Sequence, residues 1–126
     1  MRWLGNQSAV PPESVPEVAL AVLDAPCVLR SLAQKALDQA GRSWRIDFVS
    51  ASLGGVWAAV RAGLGVTVRT KIGLPPGVFY VLGLPELPSL GLILHRASPN
   101  PAPGIAALEK ILLSALEPVL RPGGAV

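Results

Sequence analysis

Two serines separated by one alanine, Ser50-Ala51-Ser52, are the residues of this chain best suited to binding chemistry. Their hydroxyls both donate and accept hydrogen bonds. They fall between a predicted strand and a predicted helix, so the competing reading is that they only cap the helix by accepting one of its unpaired N–H groups. Cys27 and Val28 open a second predicted helix. A helix N-terminus offers free N–H groups and the positive end of the helix dipole, which favour a small anion or carboxylate. Arg69 and Thr70 follow the end of another predicted strand, and in this reading they face the same crevice. Ligands of open α/β sheets bind outside the carboxyl ends of the strands, and all seven residues fall at such ends.

Covalent catalysis needs a nucleophile, a base and an orienting group, and the chain does not offer them together. His95, the single histidine, reads as a surface residue at a strand end. Cys27, the single thiol, follows Pro26 and reads as a half-buried structural residue. Asp24, Asp38 and Asp47 fall on a turn, a helix surface and a strand, so no carboxylate pair emerges. Metal binding needs clustered ligands, and none is visible. The glycines at 54–55 and 63–65 lack the lysine and hydroxyl of a phosphate loop. The sequence therefore predicts a non-enzyme with neither cofactor nor metal.

The elements that must position these residues follow from pattern. The run WRIDFVSASLGGVWAAVRAGLGVTVR, residues 44–69, reads as strand, polar turn, helix, glycine stop and strand. Residues 45–49 carry the β-branched and aromatic types that suit a pleated surface. Gly63 ends the helix, because glycine takes a left-handed conformation at little cost. Two strands joined by a helix imply a right-handed parallel crossover. Upstream, residues 2–4 are a short extended segment, residues 5–17 a proline-rich loop, and residues 18–23 a buried strand. Residues 28–40 form a helix with Leu29, Leu32, Ala33, Ala36, Leu37 and Ala40 at helical spacing, stopped by Gly41. Downstream, residues 74–77 (LPPG) are a tight turn. Strands are predicted at 78–82 and 90–94, a linker at 97–104, and a helix from 105 to 116 with Pro118 marking its end. Residues 122–124 read as a loose tail. Trp3 and Trp44 are placed at edges or turns and Trp57 in packing.

Composition narrows the class. With 126 residues the chain is one domain at most, and it is 51% hydrophobic but only 15% charged. So apolar a chain is expected to leave surface that meets a partner. The net charge is +3, and the basic residues are scattered from Arg2 to Arg121, which argues against a nucleic-acid patch. One cysteine allows no internal disulfide. No signal peptide and no apolar run of about 18 residues is visible, so the expectation is a cytoplasmic protein without a membrane span.

The ordered motifs also resemble a family. S-x-S-L-x-x-x-W-A-A-V-x-A-G-L-G-V-T-V, residues 50–68, is similar to the second lobe of the effector-binding domain of LysR-type transcriptional regulators. PCVLRSLAQKALDQAGRSWRI (26–46), RTKIGLPPGVFYVL (69–82) and LPSLGLILHR (87–96) follow in the family's order. The resemblance covers residues 1 to 120. It implies an α/β, periplasmic-binding-protein-like lobe with a mostly parallel sheet flanked by helices. On this reading residues 1–126 are a single partial domain, with the lobe at 18–82 and a return strand and C-terminal helix at 87–120. The implied function is effector sensing, with the Ser50-Ala51-Ser52 turn and the loop before the first helix lining the cleft. The helix N-termini add the expectation of a small anionic metabolite, bound by Ser50, Ala51, Ser52, Cys27, Val28, Arg69 and Thr70. The last two stand where the family more often has a proline. Self-association is expected, and DNA contact only through a helix-turn-helix absent from this chain. The alternatives are a stand-alone dimerisation module without ligand and a solute-binding protein fragment.

Overall fold

A computed structural model describes residues 1–7 and 15–120. Most of the predicted 5–17 loop and the predicted 122–124 tail lie outside the described residues. Five strands and three helices run in the order β1 (Arg2–Gly5), β2 (Val18–Leu23), α1 (Val28–Gln39), β3 (Trp44–Ser50), α2 (Leu53–Arg61), β4 (Thr67–Arg69), β5 (Phe79–Tyr80) and α3 (Pro103–Leu120). The chain divides into two units, Met1–Leu90 and Gly91–Val126.

In the first unit β2 and β3 pair in parallel, with Val18 opposite Trp44 and Leu23 opposite Ser50. β1 lies between β4 and β5 and is antiparallel to both. Val66, just before β4, joins the two sheets. Its N–H donates to the Ala19 carbonyl (2.9 Å) and its carbonyl accepts from the Ala21 N–H (2.9 Å), a parallel bridge to Leu20. The strands therefore follow one another as β3-β2-β4-β1-β5. The expectation of a mostly parallel sheet is met only in part: the β2–β3 pair and the Val66 bridge are parallel, and both pairings of β1 are antiparallel.

Two helices cover the two faces. Ala33, Ala36 and Leu37 of α1 cluster with Trp3, Val18, Leu20, Val22 and Val68. Val56, Ala59 and Val60 of α2 cluster with Leu4, Ala21 and Val78. The split follows from strand periodicity, since neighbours such as Trp3 and Leu4, or Leu20 and Ala21, point to opposite faces. β3 breaks that period usefully. Leu20 pairs with Ile46, but Ala21 pairs with Phe48, so Asp47 is an extra residue in the ladder. The irregularity turns Phe48 toward the α2 cluster while Ile46 packs on the α1 cluster.

Glycines do specific work at two places. Gly63 has φ +79° just past α2, the left-handed stop that the sequence predicts. Gly65 passes so close to β2 that a Cβ there would lie 2.8 Å from the Ala19 carbonyl oxygen. Only glycine lets that chain reach the parallel bridge.

Several expectations need correction. Trp3 is no edge or turn residue: β1 is interior to its sheet, Trp3 is 4% exposed, and its indole N–H donates to the Pro85 carbonyl at 2.8 Å. Trp44, by contrast, stands on an edge strand as expected: it opens β3 and donates to Asp38 Oδ1 at 2.7 Å. The predicted 78–82 strand shrinks to two residues, although the Val81 N–H still donates to the Trp3 carbonyl (2.9 Å).

No strand forms at 90–94, and Leu92 and Ile93, of the second unit, are exposed. An apolar run becomes a strand only with a neighbouring strand to share its hydrogen bonds. α3 is longer than predicted. It begins at Pro103, a favoured first helical position, and Pro118 lies inside it rather than at its end. Within this unit Arg96 donates to Glu109 Oε1 from Nη2 (2.7 Å) and Nε (2.9 Å). No helix among the described residues is long and apolar enough to cross a membrane.

Candidate functional site

β2, β3 and the Val66–β4 segment run the same way, so their carboxyl ends share one edge. Leu23 ends β2, Ser50 ends β3 and Arg69 ends β4, and the two registers place them at one level. The Asp24 N–H donates to the Ser50 carbonyl at 2.9 Å and ties the first two ends together. All seven predicted residues stand on this edge or in the turns that leave it.

The serine turn is built tightly. Ser52 is the extended N-cap of α2, and its Oγ accepts the Gly55 N–H at 3.2 Å. Ser50 Oγ accepts the Ser52 N–H at 3.1 Å. Gly55 permits this, because a Cβ there would collide with the Ser50 hydroxyl. Capping is therefore one real role of Ser52, as the bland reading holds. It uses oxygen lone pairs, and each hydroxyl keeps its hydrogen to donate outward. Ala51 and Ser52 are exposed, which leaves that side open to a ligand.

Cys27 caps α1 through its backbone alone, with φ −140° and ψ 113° and no side-chain cap bond. Ser31 donates to the Cys27 carbonyl from its N–H (3.1 Å) and Oγ (3.3 Å). The half-buried thiol is thus left for other contacts. Val28 and Thr70 are exposed at the rim.

Arg69 is the most unusual group of the edge. Its Nε is buried and has no hydrogen-bond partner. Burial pulls the guanidinium below its ordinary range, opposed by the Cys27 side chain beside it. Cys27, Arg30, Thr67 and Arg69 line a cavity of about 10 Å³. That is room for one water at most. A larger hollow, about 650 Å³, lies at the amino ends of the parallel strands, among Asn6, Glu17, Ala19, Arg45, Gly63 and Gly65. It contains none of the predicted residues. By volume it is the roomier space, but neither α1 nor α2 aims its N-terminus there.

Pattern reading missed two residues of the carboxyl edge. Arg2 stands directly opposite Arg69 in the antiparallel β1–β4 register. Arg30, in the first turn of α1, shares the small cavity with Arg69. Nothing local marks either residue. Among the described residues no group of three or more His, Cys, Asp or Glu could hold a metal.

The model of the LysR substrate binding domain matches residues 2–114. The HTH-type transcriptional regulator PecT of Dickeya dadantii (strain 3937) is 43% identical over 82 residues, covering 63% of this chain and 26% of the relative. The HTH-type transcriptional regulator DgdR of Burkholderia cepacia is 32% identical over 117 residues, covering 90% of this chain and 40% of the relative. The chain thus spans between a quarter and two-fifths of these curated relatives. With the family model running through β1, both sheets, α1, α2 and most of α3, the chain belongs to the LysR substrate-binding domain family.

Proposed function

We propose that this chain is the effector-sensing lobe of a LysR-type transcriptional regulator and presents one wall of a cleft to a small anionic metabolite. The observation that carries this reading is the convergence on one sheet edge of the Ser50–Ser52 turn, the start of α1 and the half-buried Arg69. Two serine hydroxyls, two helix N-termini and a half-buried guanidinium make a donor-rich edge. Such an edge suits a carboxylate, which only accepts hydrogen bonds. The regulator names of the two similar proteins support a sensing role over a catalytic one. The ligand acts by binding one arrangement of lobes and subunits better than another, so its differential affinity sets the switch. Operator recognition belongs to a helix-turn-helix element and not to this lobe, and the setting is the cytoplasm.

The test is thermal unfolding of the full chain against a panel of small carboxylates, namely acetate, propionate, benzoate and succinate, at constant ionic strength. At least one should raise the midpoint in a saturable way, and Arg69→Gln should remove the rise. No rise with any of them, or a rise that Arg69→Gln leaves intact, would reject this site.

A specific observation favours association as well. In the second unit Ile105, Leu108, Ile111 and Leu112 are all well exposed on α3, and Leu116 is half-buried. Each such side chain gains roughly 1.5–3 kcal/mol when fully buried, so a partner chain is favoured. Light scattering of the chain should give more than one chain mass, and a Leu108→Glu, Leu112→Glu double variant should return it to one. A single-chain mass across a wide concentration range would remove this second reading.

A further inference from the structure

We infer that Arg69 is held in the ligand-free lobe at a cost to stability, through a buried Nε–H that no acceptor among the described residues reaches, and that it binds from this state. The second half rests on the carboxylate reading above. The first half stands on the geometry of the side chain alone.

Three arginines can be compared at Nε. Arg45 Nε donates to Asp47 Oδ1 at 2.6 Å, and Arg96 Nε donates to Glu109 Oε1 at 2.9 Å. Both residues are exposed, so water serves their donors almost as well. Arg69 inverts this arrangement, because its Nε is buried and unpaired. A buried donor without an acceptor loses its hydrogen bond to water and gains none in return. Thr67 and Val68, just before it on β4, are buried, and the ladder with β1 fixes the backbone that carries it. A shift of the strand therefore cannot ease the cost. Burial also opposes the charge of the guanidinium, and the Cys27 side chain beside it offsets this only in part.

The consequence for binding follows from the planar fork of the side chain. A carboxylate that pairs side-on accepts from Nε and a terminal nitrogen together. The cavity beside Arg69 holds about 10 Å³, which admits one water and no carboxylate. Side-on pairing therefore requires the guanidinium to turn outward, and that turn relieves the unpaired donor. Binding begins from a destabilised side chain and ends with a satisfied one.

Thermal unfolding of the full chain without ligand tests the cost. Arg69→Lys puts a methylene where Nε stands and keeps a positive charge. It should raise the midpoint by about 4–8 °C. Arg69→Met removes both donor and charge and should raise it at least as far. A midpoint that Arg69→Lys lowers or leaves unchanged would overturn the inference, and a water pairing Nε in the small cavity would give that result. A rise with Arg69→Met alone would overturn it too, since the charge and not Nε would then carry the cost. Binding is read by adding acetate, propionate, benzoate or succinate. Whichever raises the wild-type midpoint should need a roughly tenfold higher concentration in Arg69→Lys, which has no fork. An equal response in the two chains would overturn the binding half and leave the cost standing. No response to any carboxylate would reject the anion site, and the binding half with it, while the ligand-free midpoints still decide the cost.

Discussion

The two units of the chain obey the same local rules and reach different ends. In Met1–Leu90, the helices α1 and α2 each turn a face of small and branched residues onto a sheet. Leu4, Leu20, Leu37, Val56 and Val60 are left with no exposed surface. In Gly91–Val126, α3 is longer than either, yet Ile105, Leu108, Ile111, Leu112, Leu113 and Leu120 all stay substantially in water. Both units satisfy the helix backbone. Only the first supplies a second layer against which an apolar face can close. A helical period tells where an apolar stripe falls, and a stripe stabilises only what it can be packed on.

The sharpest way to break this contrast is to cut equal volumes from the two units. Leu20→Ala should lower the stability of the first unit by about 2–5 kcal/mol, because it opens a cavity between β2 and α1. Leu112→Ala, the same chemical change on an exposed site, should cost under about 0.5 kcal/mol in the monomeric chain. Urea unfolding of both variants decides. Similar losses would mean that α3 is as well packed as the core.

Gly65→Ala should come next, with a loss of about 1–3 kcal/mol from overpacking against the Ala19 carbonyl. Gly104→Ala, where a Cβ meets nothing within 4 Å, should be neutral or slightly stabilising. Hydrogen exchange at the Val66 and Ala21 amides should rise in the Gly65 variant and not in the Gly104 variant.

Smaller effects belong to the termini and surface. Ser52→Ala removes the α2 cap and should cost about 0.5–2 kcal/mol. No side-chain cap exists at Cys27, so Cys27→Ala should change α1 far less. Smallest of all, Glu109→Gln breaks the exposed Arg96 pair and should cost under about 1 kcal/mol, fading with salt. Circular dichroism melts at low and high salt would check both.

Much of the candidate edge was legible because it is local. Ser50, Ala51 and Ser52 sit at a strand-to-helix switch written in five or six neighbouring residues, and Ser52 caps α2 as the pattern predicts. Cys27 and Val28 open α1 for the same reason. Gly41 and Gly63 stop their helices with positive φ. Arg2 was not legible as a residue of this edge, since what sets it opposite Arg69 is a ladder spanning most of the first unit. Trp3 was misplaced for the same reason: its burial comes from strands on both sides of β1 and from Pro85.

The sequence by itself determined where α1 and α2 start and stop, the apolar face of each helix and the family. Those features depend on torsional preferences and on periods of a few residues. Tertiary structure alone decided that β1 joins the sheet interior and runs antiparallel to β4, and that Asp47 steps out of the ladder so that Phe48 changes face. It alone left residues 90–94 without a strand and set Arg2 opposite Arg69 in the ladder. Each of these turns on which backbone groups find partners far along the chain, and no local pattern encodes a partner.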